Sequence, residues 1–299
     1  TYVWRGSQLN MPDIQRIRHA VVTPSRNEGK FLPSIIESMS NQTIIPVIWV
    51  IVSHNSTDNT IEILREAKSK YDWIEYIDVK DESTRKRGSQ IASLVNKGIN
   101  SIDLEWDFIS KIDADMILPE NYFEMIFQRF SNNPKLGIAS GTCYIVEGGK
   151  KIIENVSSDH TRGGLKTYRS GCYNEIGGIR EIDGWDGIDN ISAQMKNWET
   201  MPFREIEALH QRRTGSFSGL ISGCFESGKF AHTMNYHPLF MIARSMHRMK
   251  SKPIVVGGLS MITGFMWNKI SRKSKLDDKE IVLFLRKKQK NRLKFWKRT

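Results

Sequence analysis

Apolar and polar positions fall in blocks along the first half of the chain, and the block lengths predict alternating strands and helices. His19–Val22 is a short apolar run broken by Pro24 and the polar stretch Ser25–Glu28, which predicts a buried strand and then a loop. Phe31, Ile35, Ile36 and Met39 follow at helical spacing. Val47–Val52 predicts a second strand. Ser56, Thr57 or Asp58 is placed to cap a helix with apolar positions Ile61, Leu64 and Ala67. Trp73–Val79, Gln90–Ile99 and Phe108–Ile112 continue as strand, helix and strand, and Pro119 opens another helix. This alternation predicts an α/β fold, a doubly wound, mostly parallel sheet whose strand tips share one edge.

At the end of the fourth strand the apolar run stops at Asp113-Ala114-Asp115. Open α/β sheets bind ligands beyond the carboxyl ends of their strands. Two carboxylates at that place suit a hard cation, Mg²⁺ or Mn²⁺, whose shell substrate phosphates complete. On its own the D-x-D triplet also fits a solvated loop.

Four blocks in order, over residues 18–210, carry a family resemblance. They are TPSRNEGKFLPSIIESMSNQT, VIWVIVSHNSTDNT, KIDADMILPENYFE and GCYNEIGGIREIDGWDGIDNISAQMKNWET. The chain resembles the family-2 inverting glycosyltransferases of the bacterial polysaccharide and lipopolysaccharide type, which have the glycosyltransferase A fold. The resemblance implies a nucleotide-diphosphate sugar donor, with UDP favoured, and a divalent metal, Mn²⁺ or Mg²⁺. It also implies transfer with inversion to a hydroxyl of a glycan or lipid-linked acceptor.

Mapped onto this chain, the resemblance implies nucleotide contacts from Pro24, Arg26, Glu28, His54, Asp58, Arg87, Lys111 and Asp113. The metal ligands the resemblance implies are Asp113, Asp115 and His210. His210, in EALHQRRTG, ends an apolar–polar run, where a neutral imidazole serves as third ligand or merely closes a strand. Arg212 and Arg213 beside it suit phosphate, and Arg85 and Lys86 adjoin Arg87. An inverting transfer needs one base to take the acceptor proton. Asp186, expected as the N-cap of a helix carrying Ile188, Ile191, Met195 and Trp198, is the first candidate and Asp189 the second. The bland alternative makes the two a cap and a helix-dipole partner.

The sequence departs from the family pattern twice. Ser53-His54-Asn55-Ser56 stands where the family has D-D-G-S, so His54 replaces the aspartate that usually meets the base. UDP, GDP and dTDP therefore all stay open. Trp185 stands where a Glu is common, as a sugar platform or a core residue.

Composition changes the picture mainly at the C-terminal end. The net charge is +11, yet Met241–Thr299 alone holds 17 Lys/Arg against 3 Asp/Glu, or +14, leaving −3 for the first 240 residues. The expected division is a catalytic domain at 1–215 and a helical region at 216–299, with Gly215–Gly228 as a linker, loop or lid. Pro253–Trp267 is apolar but short of the roughly 20 residues that span a bilayer, and basic clusters flank it. That pattern fits a helix in the membrane interface and an anionic lipid surface, or else a helical subdomain or an oligomerisation element. The expected location is cytoplasmic, peripheral to the inner face of the membrane.

Cys143, Cys172 and Cys224 lack metal or disulfide spacing and are expected as buried free thiols. Thr1–Asn10 has no apolar leader-like region. Other classes fit less well. A nucleotidyltransferase would show a Gly-rich phosphate loop, which TPSRNEGK lacks. A nucleic-acid binder would leave the paired aspartates unexplained, so no nucleic-acid partner is expected.

Overall fold

A computed structural model describes residues 16–82, 88–154, 160–212 and 219–296. The chain divides into two compact units, Thr1–Arg212 and Arg213–Thr299.

The first unit opens with β1 (His19–Ser25), α1 (Leu32–Ser40), β2 (Ile48–His54), α2 (Thr60–Lys70), β3 (Ile74–Val79), α3 (Ser89–Asn100) and β4 (Phe108–Ile112). There follow β5 (Met116–Ile117), α4 (Tyr122–Asn132), β6 (Leu136–Glu147), β7 (Lys150–Glu154) and β8 (Leu165–Arg169). The unit closes with α5 (Ser170–Glu175), α6 (Trp185–Met195) and β9 (Glu199–His210). The strands form one sheet in the order β3-β2-β1-β4-β8-β6-β9-β5, with β7 hairpinned onto β6. β1 to β4, β6 and β9 run one way, while β5, β7 and β8 run against them. The sheet is mixed but mostly parallel. The alternating blocks predict its parallel half. Of the antiparallel strands, β7 comes from the short Gly148–Gly149 turn, where both φ angles are positive (58° and 73°), while β5 and β8 pair with strands distant in sequence.

Both faces of the sheet are covered. Val21, Trp49 and Ile51 pack with Leu32, Met39, Leu64 and Phe127 of α1, α2 and α4. The alternate residues Ala20, Val22, Val50 and Val52 pack with Val95, Cys172 and Trp185 of α3, α5 and α6. This period-2 alternation gives a doubly wound sheet with two apolar layers. All three cysteines are free and buried.

In the second unit α7 (Gly219–Thr233), α8 (Pro238–Arg248), α9 (Val256–Ile270) and α10 (Lys279–Trp296) are helices. The expected linker is thus helical from Gly219 onward. Of the glycines in that stretch, Gly228 sits where two helix backbones meet, as does Gly264 across from it, while Gly219 and Gly223 face open space. A Cβ on Gly228 would lie 1.9 Å from the Met261 carbonyl oxygen, and one on Gly264 would lie 2.0 Å from that of Phe225. Among the described residues no helix is long and apolar enough to cross a membrane.

Candidate active site

β4 ends at Ile112 and delivers Asp113 and Asp115 to the sheet edge. β5 then pairs with the end of β9, Met116 opposite His210, and the Gln211 N–H donates to the Asp115 carbonyl at 2.9 Å. This pairing carries the histidine across the fold, with His210 Nε2 3.3 Å from Asp115 Oδ2. The other ring nitrogen, Nδ1, is 2.9 Å from Glu154 Oε2, and Glu154 also takes an ion pair from Arg162. A carboxylate behind an imidazole orients its far nitrogen toward the front.

Arg212 completes this corner. Its Nε and Nη2 lie 3.0 and 2.8 Å from Asp115 Oδ2, and Nη2 lies 2.9 Å from Glu28 Oε1. Burial disfavours the charge of Asp115, but His210 and Arg212 outweigh it and hold the carboxyl below its usual range. Burial likewise disfavours the His210 imidazolium, and Asp115 and Glu154 raise it to about 9.

Asp113 is tied differently. Its N–H donates to the Gly164 carbonyl at 3.0 Å, and its carboxylate takes the ammonium of Lys111, a buried residue of β4. Lys111 sits opposite Lys166 of β8, and both ammoniums lie over the Trp185 ring at 5.7 and 5.5 Å. Two adjacent buried lysines repel; each is neutralised by its own carboxylate. Lys166 donates to Asp189 Oδ1 at 2.7 Å and to the Asp186 carbonyl at 2.6 Å. Trp185 is buried and belongs to the core.

Sequence prediction paired Asp186 and Asp189 as rivals, and the structure separates them. The Asp189 side chain is 3% exposed; it takes Lys166, the Tyr168 hydroxyl and the Asn190 N–H at 2.7 Å. Burial pushes its carboxyl up against the pull of Lys166. The Asp186 side chain is 39% exposed, 3.7 Å from His160 Nε2. Partial burial works against its charge, but His160 and Lys166 outweigh that and hold it at about 2. Asp186 is not the helix N-cap. Gly184 is, with φ +81°, and Asp186 lies in the first turn. The helix ends at Met195, short of Trp198, whose Nε1 donates to Glu175.

One loop joins the two sets of carboxylates. A Cβ on Gly163 would lie 3.3 Å from Asp186 Oδ2, and one on Gly164 would lie 2.6 Å from Asp113 Oδ2. Asp186 and Asp113 therefore flank consecutive residues of one Gly-Gly segment.

The remaining expected nucleotide residues line the tips of β1, β2 and α2. Pro24 pairs in register with Val52 at the end of β1. Asp58 is a brace, accepting the Gly29 and Thr60 N–H groups at 3.0 and 3.1 Å. Burial opposes its charge, and the bonds from Thr60 and Gly29 still pull its carboxyl down. Glu28 is buried and points at Arg212. Arg26 Nη1 is shielded from solvent and has no hydrogen-bond partner among the described residues. His54 is 2% exposed, its Nε2 3.0 Å from Asp81 Oδ1, so its ring is covered and Asp81 presents the carboxylate at that strand tip. Arg85, Lys86, Arg87 and Arg213 lie outside the described residues.

The expected trio Asp113, Asp115 and His210 comes together only as the pair Asp115–His210. Among the described residues no three His, Cys, Asp or Glu side chains form a ready coordination group, because Lys111 draws the Asp113 carboxylate aside. The donor chemistry still fits a divalent cation, since two carboxylates and an imidazole backed by Glu154 are ligands that Mn²⁺ accepts. Sequence reasoning missed Glu154, Arg162, His160, Lys166 and Asp81. Only Asp81 carried a signal, its place just past the third strand.

Residues 20–181 match the family described as glycosyl transferase family 2. The chain is 28% identical over 173 residues to the poly-beta-1,6-N-acetyl-D-glucosamine synthase of Staphylococcus epidermidis, covering 54% of this chain and 40% of that enzyme. It is 29% identical over 92 residues to the Staphylococcus aureus synthase, covering 31% and 20%. The alignments thus span well under half of these relatives.

Among solved structures, the Pyrobaculum calidifontis mannosyltransferase PcManGT, in complex with GDP-Man and Mn²⁺, superimposes with a TM-score of 0.55 at 12% identity, covering 87% of this chain and 77% of that one. Residues 1–349 of S. aureus TarS, in complex with UDP-GlcNAc, give 0.52 at 13% identity, covering 89% and 78%. At such identities the likeness shows the fold, that of the glycosyltransferase A class. With more than half of its residues inside the family match, the chain belongs to glycosyl transferase family 2.

Proposed function

We propose that the protein moves a sugar from a nucleotide-diphosphate donor, a UDP-sugar in first place, to a hydroxyl of a glycan or lipid-linked acceptor, with inversion. The observation that carries this reading is the Gly163–Gly164 segment, against whose consecutive residues the Asp186 and Asp113 carboxylates both lie. An inverting transfer needs these two functions, a base on the acceptor side and an anion-bridging site on the donor side.

In this reading Asp113, Asp115 and His210, the last as a neutral imidazole, would hold a Mn²⁺ or Mg²⁺ ion. When bound, it supplies Lewis-acid stabilisation of the leaving diphosphate. Arg26, whose Nη1 has no partner among the described residues, and Arg212 bind phosphate oxygens, for which a planar guanidinium is suited. Asp81 replaces the missing aspartate of the family pattern as acceptor for the base, with His54 and Asn55 orienting it.

Asp186 accepts the proton of the acceptor hydroxyl as that oxygen attacks the anomeric carbon. The bond to the diphosphate breaks on the opposite side, and the nucleoside diphosphate leaves. Asp186 is the base because its carboxylate is accessible and ionised. Asp189, sealed under Lys166 and Tyr168, is a positioning residue that fixes the start of α6.

Titration calorimetry of UDP, GDP and dTDP, with and without Mn²⁺ and on Asp115→Ala, tests the donor side. The expected result is Mn²⁺-dependent binding of one nucleotide, lost in the variant. Binding of none of the three overturns the reading.

A further inference from the structure

The helix α9 wears its amphipathic pattern inside out. Its inward face is Gly257, Gly258, Met261, Gly264 and Asn268, all buried, where glycines bring α9 close to α7 and α8. Its outward face is Val256, Leu259, Met266, Trp267 and Ile270, interrupted only by Thr263. At 3.6 residues per turn these fall within an arc of about 100°. Leu259 is 50% exposed, Trp267 60% and Ile270 75%. A helix on a water-facing surface places polar residues there; this one places its largest apolar side chains.

Both ends of the face are basic. Lys250 and Lys252 precede it, and Lys269, Arg272, Lys273 and Lys275 follow it, all exposed. The neighbouring α8 adds an exposed stripe of Leu239, Ile242 and Met246. Beside α9 an open groove of about 550 Å³ is lined mainly by Leu220, Ile221, Phe225 and Ser260. An apolar stripe with a Trp near its end, fenced by lysines and arginines, is the chemistry of a helix lying at the headgroup level of an anionic bilayer. With 15 residues the helix is too short to cross.

We propose that the outward face of α9 is a docking surface for an anionic lipid bilayer, with Trp267, Leu259 and Ile270 entering the interface and the flanking lysines and arginines meeting lipid phosphates. The proposal rests on the second unit alone and does not depend on the donor chemistry. Each Lys or Arg near such a surface strengthens binding by about fivefold, equivalent to about 1 kcal/mol.

The test is flotation of the full chain with vesicles of phosphatidylcholine alone and of phosphatidylcholine mixed with phosphatidylglycerol, at low and high salt. The expected result is flotation with the mixed vesicles, weakened by salt and reduced at least tenfold in the double variant Leu259→Ser/Trp267→Ser. Both positions are exposed, and circular dichroism checks that the variant keeps its helices. A second variant, Lys269→Glu/Lys273→Glu, is expected to lose the preference for phosphatidylglycerol.

Absence from both floating fractions overturns the proposal. So does flotation that the Leu259/Trp267 variant leaves unchanged, which would assign binding to charge elsewhere. Concentration-dependent self-association abolished by the same variant, with no flotation, would give the face to a second copy of the chain. Equal capture by single-stranded RNA without flotation would give it to nucleic acid. Either result overturns the bilayer.

Discussion

Lys166 donates to Asp189 Oδ1 at 2.7 Å, and both side chains are sealed from solvent. Breaking such a pair from one side leaves a buried charge without compensation, at a cost of about 3–5 kcal/mol. Lys166→Met is therefore expected to lower stability by that amount, and Lys166→Met/Asp189→Leu to recover most of it. Urea unfolding midpoints measure both. A single variant within about 1 kcal/mol of the parent would mean that Asp189 is protonated in the folded state.

Asp186→Asn is expected to lower kcat by about 10²–10⁴ with nucleotide affinity unchanged, whereas Asp189→Asn is expected to lower Tm as well. His160 and Lys166 hold the Asp186 carboxyl at about 2. Because that value lies below its unfolded one, the folded state gains stability from Asp186 above pH 4 and loses it as pH falls toward 2. His160→Gln removes part of the pull, so the acid limb of kcat/KM is expected to move to higher pH. A pH–rate profile that stays in place would remove Asp186 from the base role.

Gly164→Ala would put a Cβ 2.6 Å from Asp113 Oδ2. The carboxylate is a side-chain end that can swing away, so the expected stability loss is small, under about 1 kcal/mol. The expected loss of Mn²⁺-dependent nucleotide binding is tenfold or more, on the order of 1.4 kcal/mol. Calorimetry beside a melting curve separates the two. Equal losses in both would make the glycine a folding requirement only.

Asp81→Ala removes the carboxylate at the tip of β3 that His54 and Asn55 hold. A weakening of nucleotide binding by about tenfold is expected, the size of one good charge-assisted bond. The affinity for inorganic diphosphate should not change. Competition between the two ligands reads this directly.

His19 provides a pH test away from the site. It is wholly buried beside Phe123 and Phe127, with ring centroids 4.3 and 5.0 Å away, and its Nε2 is 2.8 Å from Ser110 Oγ. Burial lowers its pKa from 6.5 to about 3. The unfolded chain then binds a proton that the folded chain refuses, so stability is complete above pH 6.5 and falls as pH drops toward 3. The limiting slope is about 1.4 kcal/mol per pH unit. His19→Gln is expected to flatten that slope in denaturant titrations between pH 4 and pH 6.

Much of the first unit was legible because its signals are local. The runs ending at Val22 and Val52 read as strands for the same reason that they became strands, since central strands covered on both faces are mostly apolar, while the edge strand β3 keeps Glu75 and Asp78. Trp185 and Gly219–Gly228 were ambiguous for a matching reason. A tryptophan serves equally as platform or core, and a Gly-rich run serves as loop or as helix contact. Only the neighbouring backbone distinguishes them.

The sequence by itself determined the order of strands and helices as far as α4, the position of Asp113 and Asp115 at a strand tip, and the concentration of positive charge after Met241. These follow from periodicity and from counting, which need no partner. The tertiary structure decided which side chains meet. It carried His210 and Arg212 from the end of β9 to Asp115, set Glu154 behind the imidazole, and left Asp186 open while it closed Asp189 under Lys166. It also turned the apolar face of α9 outward. Such pairings join residues that are far apart along the chain, from 21 positions for Tyr168–Asp189 to 184 for Glu28–Arg212. Strand pairing and helix packing set them, and no local pattern encodes the distance between two side chains that the fold brings together.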